Sequence, residues 1–291
     1  TTGSGAGGRL AVIEAERVSL TSGAQLTSRA TGSGQGGDIA VTATDSISIA
    51  GISLDTFSVS GIFSLTTGPG KGGHLQMDAP RVTLSEMGQI RSQTISAEDN
   101  AGNGGHIAIA ATDTLSVTGF SDDFGIGSGI FSSGEHGASG SITLSGPTIM
   151  VADRAEIASS QNLAHHSGGI TVDAGTMTLT GGAAIHTVSG STGAPSTGAI
   201  TISASDTLRV SGLFDATTPS RVSNESLSVS GSNGGIMLDA RHVIFSDGAE
   251  LFSNTAASQG GTMAVSGHES ITMTAGAQAI HVRGSLDHGS I

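Results

Sequence analysis

Cysteine, tryptophan and tyrosine are missing from all 291 residues, and lysine occurs once, at Lys71. Without cysteine there is no disulfide framework. Proline is scarce, at five, so the glycine-rich stretches read as tight turns and not as stiff linkers. No apolar run approaches 18 residues, and no signal peptide or initiator Met is present. Basic residues number 11 against 24 acidic ones, a formal net charge of −13. That balance argues against nucleic acid and against anionic membrane surfaces, both of which need basic patches. An acidic surface keeps a long β protein soluble. With no Trp or Tyr and only eight Phe, a strong lectin groove built on aromatic platforms is not expected.

What the chain does have is glycine, 46 residues of it, with abundant Ser and Thr. Apolar residues make up 36%; counting Gly raises this to about 52%, a normal globular share and not a disordered one. The apolar residues are mainly Ile, Val and Leu alternating with Ser and Thr, which favours strands.

A Gly-rich turn followed by an alternating apolar strand recurs nine times. The first inward residues are Leu10, Ile39, Leu75, Ile107, Ile142, Ile170, Ile200, Ile236 and Met263. Their mean spacing is about 32 residues, within the range of repeat architectures. Each unit carries three short strand signals, for example Ile107–Ala111, then Leu115–Val117, then Ile130–Ser132. Period-two alternation gives each strand one buried and one wet face, with aliphatic residues inward and Ser, Thr, Ala or a charge outward. A unit of this size cannot bury its apolar face alone, so it stacks on its neighbours. The expected fold is all-β: a right-handed parallel β-helix of about nine coils, each of three short strands. At about 4.8 Å between paired strands, nine coils make a rod of roughly 43 Å.

The units are of two kinds. Short ones carry Ala-x-x-Val, as Ala15 to Val18, Ala79 to Val82 and Ala240 to Val243. Long ones carry an Asp, as Ala43-Thr44-Asp45-Ser46-Ile47, Ala111-Thr112-Asp113-Thr114-Leu115 and Ala204-Ser205-Asp206-Thr207-Leu208. Each long unit is followed by an insertion, at 51–61, 119–129 and 212–226. The pentapeptide Ser-Gly-Ile-Phe-Ser occurs twice, at 60–64 and 128–132, each time as the return to the third strand after an insertion. Identical packing demands account for the identical residues without a shared catalytic role.

The Gly-rich turn, Asp-Thr-Leu-x-Val-x-Gly and Ser-Gly-Ile-Phe-Ser, clearest from Gly102 to Ser132, resemble the filamentous-haemagglutinin-like exoproteins of Gram-negative two-partner secretion. The resemblance covers essentially the whole chain. It implies a β-helical shaft, secreted through an outer-membrane transporter pore as partner and carried on the cell surface or released. Many such rods are adhesins. Absence of cysteine suits a chain threaded unfolded through a pore. The family's Asn-Pro-Asn-Gly secretion motif has no counterpart here, since Asn-Pro does not occur. Residues 1–291 therefore read as one shaft segment of a longer exoprotein, with Thr1-Thr2-Gly3 as the tail of a preceding repeat.

No catalytic constellation stands out. Carbohydrate-active β-helices use clustered Asp, Lys or Arg on one outer face; here the arginines are scattered over several coils. Asp45, Asp113 and Asp206 read as corner residues that accept backbone N–H bonds. Asp122 and Asp123, flanked by Phe120 and Phe124, form a solvated loop tip. Two adjacent carboxylates in a Gly-rich loop also suit Ca²⁺, but the repeated Gly-Gly-x-Gly-x-Asp nonapeptide is absent. The phenylalanines are expected to tuck the insertion onto the rod. His74, His106, His136, His165, His166 and His186 lack recognisable zinc spacing and read as surface or turn residues. Gly32–Gly37 superficially matches a phosphate loop, but no helix follows it.

The expectation is a non-enzymatic shaft without cofactor or metal, with no membrane insertion and no nucleic acid partner. Its inserted loops would meet a host-surface glycan or protein, with Phe120, Asp122, Asp123 and Phe124 as contact residues. A carbohydrate-active β-helix enzyme and a self-associating biofilm matrix protein are the alternatives.

Overall fold

The computed structural model describes residues 5–95, 102–134, 137–161, 165–190, 195–228, 230–256 and 261–283. They form a parallel β-solenoid with no helix among the described residues. Two nine-stranded parallel sheets run its length. One is built from long strands of 11 or 12 residues, beginning Leu10–Thr21, Ile39–Ala50, Leu75–Ser85 and Ile107–Thr118. The other is built from six-residue strands, among them Gln25–Ala30, Gly61–Thr66, Gln89–Thr94, Gly129–Gly134, Glu156–Gln161 and Ala184–Ser189. One long and one short strand make a rung, so nine rungs are joined by eight turns of chain. All nine expected strand starts head a long strand.

Each rung holds two main strands where the sequence pattern suggests three. The first two strand signals of every unit run together, because each rung turns the same corner at the same place and backbone pairing continues through it. The two kinds of unit differ there by one residue. Ala43 to Ile47 spans four steps and Ala79 to Val82 three. The ladder between them slips between Thr42 and Ser46, a bulge that absorbs the extra residue. Inward positions on both sides of the corner stay in phase: Ile39, Val41, Ala43, Ile47 and Ile49 are all buried, as are Leu75, Met77, Ala79, Val82 and Leu84. Stacked on their counterparts, these residues form one continuous aliphatic core.

The corner aspartates lie on the second, fourth and seventh rungs, so none stacks on another. Asp45 does not close a backbone turn as expected. It is bound by the arginines above and below it: Arg17 Nε donates at 2.9 Å and Arg81 donates from the other side. These bonds, led by that from Arg17, hold its carboxyl below the ordinary range. Asp206 accepts from the Thr207 hydroxyl at 3.2 Å. Exposed pairs of this kind contribute little to stability.

A second corner links long strand to short strand. Six rungs cross it by a tight turn with positive φ: Ser22-Gly23, Glu86-Met87, Asp153-Arg154, Gly181-Gly182, Asp247-Gly248 and Ala275-Gly276. The other three rungs replace that turn by the insertions. Two insertions are small hairpins, Ile52–Ser53 paired with Ser58–Val59 and Phe120–Ser121 paired with Ile126–Gly127. The third is closed by a bridge between Leu213 and Pro219. It ends sooner than the sequence suggested. Its return strand is Arg221–Ser226, not one beginning at Leu227. Val222 takes the buried slot between Ile185 and Leu251. Arg221 stands where the other two hairpin rungs have Gly61 and Gly129, and that hid the motif.

The repeated Ser-Gly-Ile-Phe-Ser owes every residue to packing. The first Ser is buried; the hydroxyls of Ser60 and Ser128 accept from the backbone N–H of Gly23 and Met87 in the preceding rung. Ile62 and Ile130 point into the core and are fully buried. The last Ser is also inward: period-two alternation puts it on the face of the buried Ile, although Ser as a residue type is expected outward. Ser132 Oγ accepts from Gly140 N–H at 2.8 Å and donates to Gly105 carbonyl at 3.2 Å, tying the short strand to the Gly-rich turns. Ser92 and Ser64 do the same one and two rungs earlier. Phe63 and Phe131 face outward, and their rings fold back over Gly61 and Gly129, where any Cβ would strike the ring.

Candidate functional site

The outward side chains of the short-strand sheet stack in columns because every strand pairs in register. One column reads Thr27, Phe63, Arg91, Phe131, Ala158, His186, Ser223 and Phe252. The adjacent one reads Gln25, Gly61, Gln89, Gly129, Glu156, Ala184, Arg221 and Glu250. Arg91 thus lies between two Phe neighbours, its guanidinium 4.7 Å from the centre of the Phe131 ring.

The hairpins rise along the same edge. Two are pinned from the rung below: the Gln25 amide donates to Val59 carbonyl and the Gln89 amide to Gly127 carbonyl, both at 3.0 Å. They also touch one another. Phe57 of the first hairpin meets Phe124 of the second edge to face, with ring centres 6.4 Å apart. Phe120 of the second meets Phe214 of the third in the same way, also at 6.4 Å. Arg154 locks the second contact. Its guanidinium sits 3.6 Å from the Phe120 ring centre and 5.0 Å from that of Phe214, and it donates to Asp122 at 3.3 Å. Three insertions far apart in sequence therefore form one ridge.

Between ridge and sheet runs an open groove. Its wider part, about 400 Å³, is lined by Phe57, Phe63, Leu65, Arg91, Gln93 and Ile126. A narrower part of about 210 Å³ continues past Gln89, Phe120, Phe131, Arg154 and Glu156. Arg91 borders both.

The groove's charges are unusual for this chain. Burial pushes Arg91 below its ordinary value, and its Nε is buried without a hydrogen-bond partner. Burial raises the pKa of Glu156, against the opposing pull of Arg221, Arg154 and Arg91. His186, one rung further, is driven down to about 4 by burial and then by Arg221. Its Nδ1 is likewise buried and unbonded.

Of the residues singled out from sequence, Phe120 is central to the ridge and Phe124 supports it. Asp122 serves as the partner of Arg154. Asp123 is exposed and lines, with Asp122, Phe120 and Glu86, an open cavity on the other side of the second hairpin's base. Among the described residues no group of three or more His, Cys, Asp or Glu is placed to hold a metal. His74 and His106 stack face to face at 5.1 Å on the Gly-rich edge. His166 accepts from Ser196 N–H. His136 lies outside the described residues. His186, expected on the surface or in a turn, lies within the strand Ala184–Ser189 with its Nδ1 buried, because in-register stacking packs it between the neighbouring rungs. Arg91, Arg154, Glu156 and Arg221 were not found from sequence. The arginines that read as scattered converge in part, since three of them share this face. Their common signal is register: Arg91 and His186 each sit one position after the buried Ile of a short strand.

Asp153 and Arg154 have φ of 56° and 57°. Four of the six tight turns put Gly at the second of these places; this rung puts Arg there. The left-handed conformation costs a non-Gly residue roughly 1–2 kcal/mol. Such strain concentrates where a side chain is needed in one place. No family model, curated protein or solved structure matches the chain.

Proposed function

We propose that this chain is a shaft segment of a secreted, cell-surface exoprotein of the adhesin type, acting by mechanical display and not by turnover. One observation carries the reading. The three insertions, from the second, fourth and seventh rungs, meet through Phe57–Phe124 and Phe120–Phe214 as a single ridge along one side of a stiff rod. A stacked solenoid holds such a ridge at a fixed distance and orientation, and loops on rigid scaffolds are the usual carriers of recognition. Secretion through an outer-membrane pore and attachment to a host glycan or protein belong to the same reading, through the resemblance of the repeat.

A second reading, a polysaccharide-cleaving β-helix, is favoured by the raised pKa of Glu156 beside three arginines. Glycoside hydrolysis generally needs two carboxyl groups flanking the scissile bond. Glu156 is the one carboxylate lining the groove. Incubating the purified protein with acidic and neutral polysaccharides and measuring new reducing ends and unsaturated products separates the two. The display reading expects neither product; formation of either overturns it.

A further inference from the structure

We infer that the groove between the hairpin ridge and the short-strand sheet is a binding site for a carboxylate-bearing polysaccharide, with Arg91 and Arg154 as its anion-recognising residues. The inference rests on the display reading above and names what that surface takes.

Charge comes first. In a chain of net charge −13, Arg91, Arg154 and Arg221 gather around one carboxylate, Glu156. Arg91 is half-buried, flattened against Phe131, and keeps a buried Nε without a hydrogen-bond partner. Arg91 also borders both parts of the groove, which places its cation where an entering anion would meet it. The guanidinium fork matches a carboxylate in two parallel bonds.

Shape and lining decide the class of the rest of the ligand. The floor is the middle of a sheet: Gly61–Thr66, Gln89–Thr94 and Gly129–Gly134 are each paired on both sides. A peptide adding as a strand needs a free edge, and this floor offers none. Recognition must come from side chains. These are ring faces (Phe57, Phe63, Phe131), amides (Gln89, Gln93) and the Glu156 carboxyl. Apolar faces with a few placed hydrogen-bonding groups suit a chain of hydroxylated rings. Arg91 takes the ligand's carboxylate, and Glu156, further along, accepts from its hydroxyls. The groove is open along the rod, so the ligand is a segment of polymer and not an enclosed small molecule.

Arg154 provides the cleanest variant. Arg154→Gly installs the residue used at this place in four other rungs, so the turn keeps its shape while the cation is lost. Arg91→Gln removes the second cation from an outward position. The test is affinity electrophoresis of the intact protein in gels holding polygalacturonate, dextran, dextran sulfate or a mixed-sequence single-stranded DNA. Polygalacturonate is expected to retard the parent, dextran to leave it unretarded. Each variant should bind polygalacturonate roughly tenfold or more weakly, the typical effect of losing a charge-assisted hydrogen bond. Circular dichroism and thermal melting of both variants establish that they are folded. Absence of retardation by polygalacturonate, or equal retardation of parent and both folded variants, overturns the site while leaving the display reading intact. Equal retardation by dextran sulfate or DNA shows unspecific charge attraction and overturns the ligand class. Binding followed by cleavage of the polymer keeps the groove and overturns the display reading instead.

Discussion

The protonation of His186 offers a quantitative test of how tightly the outer face of the short-strand sheet is packed. Its ring stands in a column between Ala158 and Ser223, and burial, aided by Arg221, lowers its pKa from 6.5 to about 4. In the unfolded chain the ring takes a proton below pH 6.5; in the fold it resists until about 4. Protons therefore favour the unfolded chain within that window. The stability contributed by the neutral ring is complete above 6.5 and is lost as pH falls towards 4. Each tenfold in proton affinity is worth about 1.4 kcal/mol, so the full effect is about 3 kcal/mol. At pH 5.5 linkage gives a loss of about 1.4 kcal/mol relative to pH 7.5. The assay is urea denaturation of the parent and of His186→Val at pH 7.5, 6.5, 5.5 and 4.5. Glu156 shifts in the opposite sense, and His106 is lowered by burial and by His74, but both groups are common to the two proteins and cancel in the difference. The parent should lose about 1.4 kcal/mol more than the variant by pH 5.5. Parallel pH profiles would refute the packing described for this face.

Three further perturbations address the scaffold. Ile109, 2% exposed in the core, should not tolerate Asp: an unpaired buried charge costs on the order of 4 kcal/mol or more, and circular dichroism at 25 °C should show loss of the β spectrum. A variant melting like the parent would mean that the inward register is wrong. Deleting residues 121–127 should leave the solenoid folded, with the melting temperature lowered by no more than about 5 °C, because Ser128 N–H already bonds Gly119 carbonyl across the hairpin base at 2.8 Å. Gly129→Val should cost about 1–3 kcal/mol in urea denaturation, since the new side chain strikes the Phe131 ring; an unchanged midpoint would mean the ring does not rest there.

The solenoid was legible because its signal is repeated and local. Nine aliphatic strand starts and two corner types are written in runs of a few residues, and the one-residue difference between Ala43–Ile47 and Ala79–Val82 reappears as the bulge in the ladder. The third insertion was misjudged because Arg221 replaces the expected Gly, and Leu227, which looked inward, is exposed. The inward polar residue that follows the buried aliphatic in the short strands, such as Ser64, Ser92 and Ser132, was also misread: a polar residue type reads as outward, and nothing within one strand shows a hydroxyl buried against the backbone of a Gly-rich turn. The groove was not legible at all. Arg91, Arg154 and Arg221 stand up to 130 positions apart in the chain, yet parallel stacking brings them to one face. Their convergence depends on register across rungs, which no single repeat contains. Phe120 and Phe124 drew notice as aromatics in a polar loop, but their partners Phe57 and Phe214 lie in other insertions.

The central claim, display by a hairpin ridge on a passive rod, is tested most directly with protein-coated beads. Beads bearing the parent, or the variant lacking residues 121–127, are passed over surfaces carrying a panel of polysaccharides and host-cell glycans, and both retention and polymer length are measured. Parent beads should be retained with the polymer intact, and the variant's beads should wash through. Shortened polymer, or equal retention of both, would contradict the account.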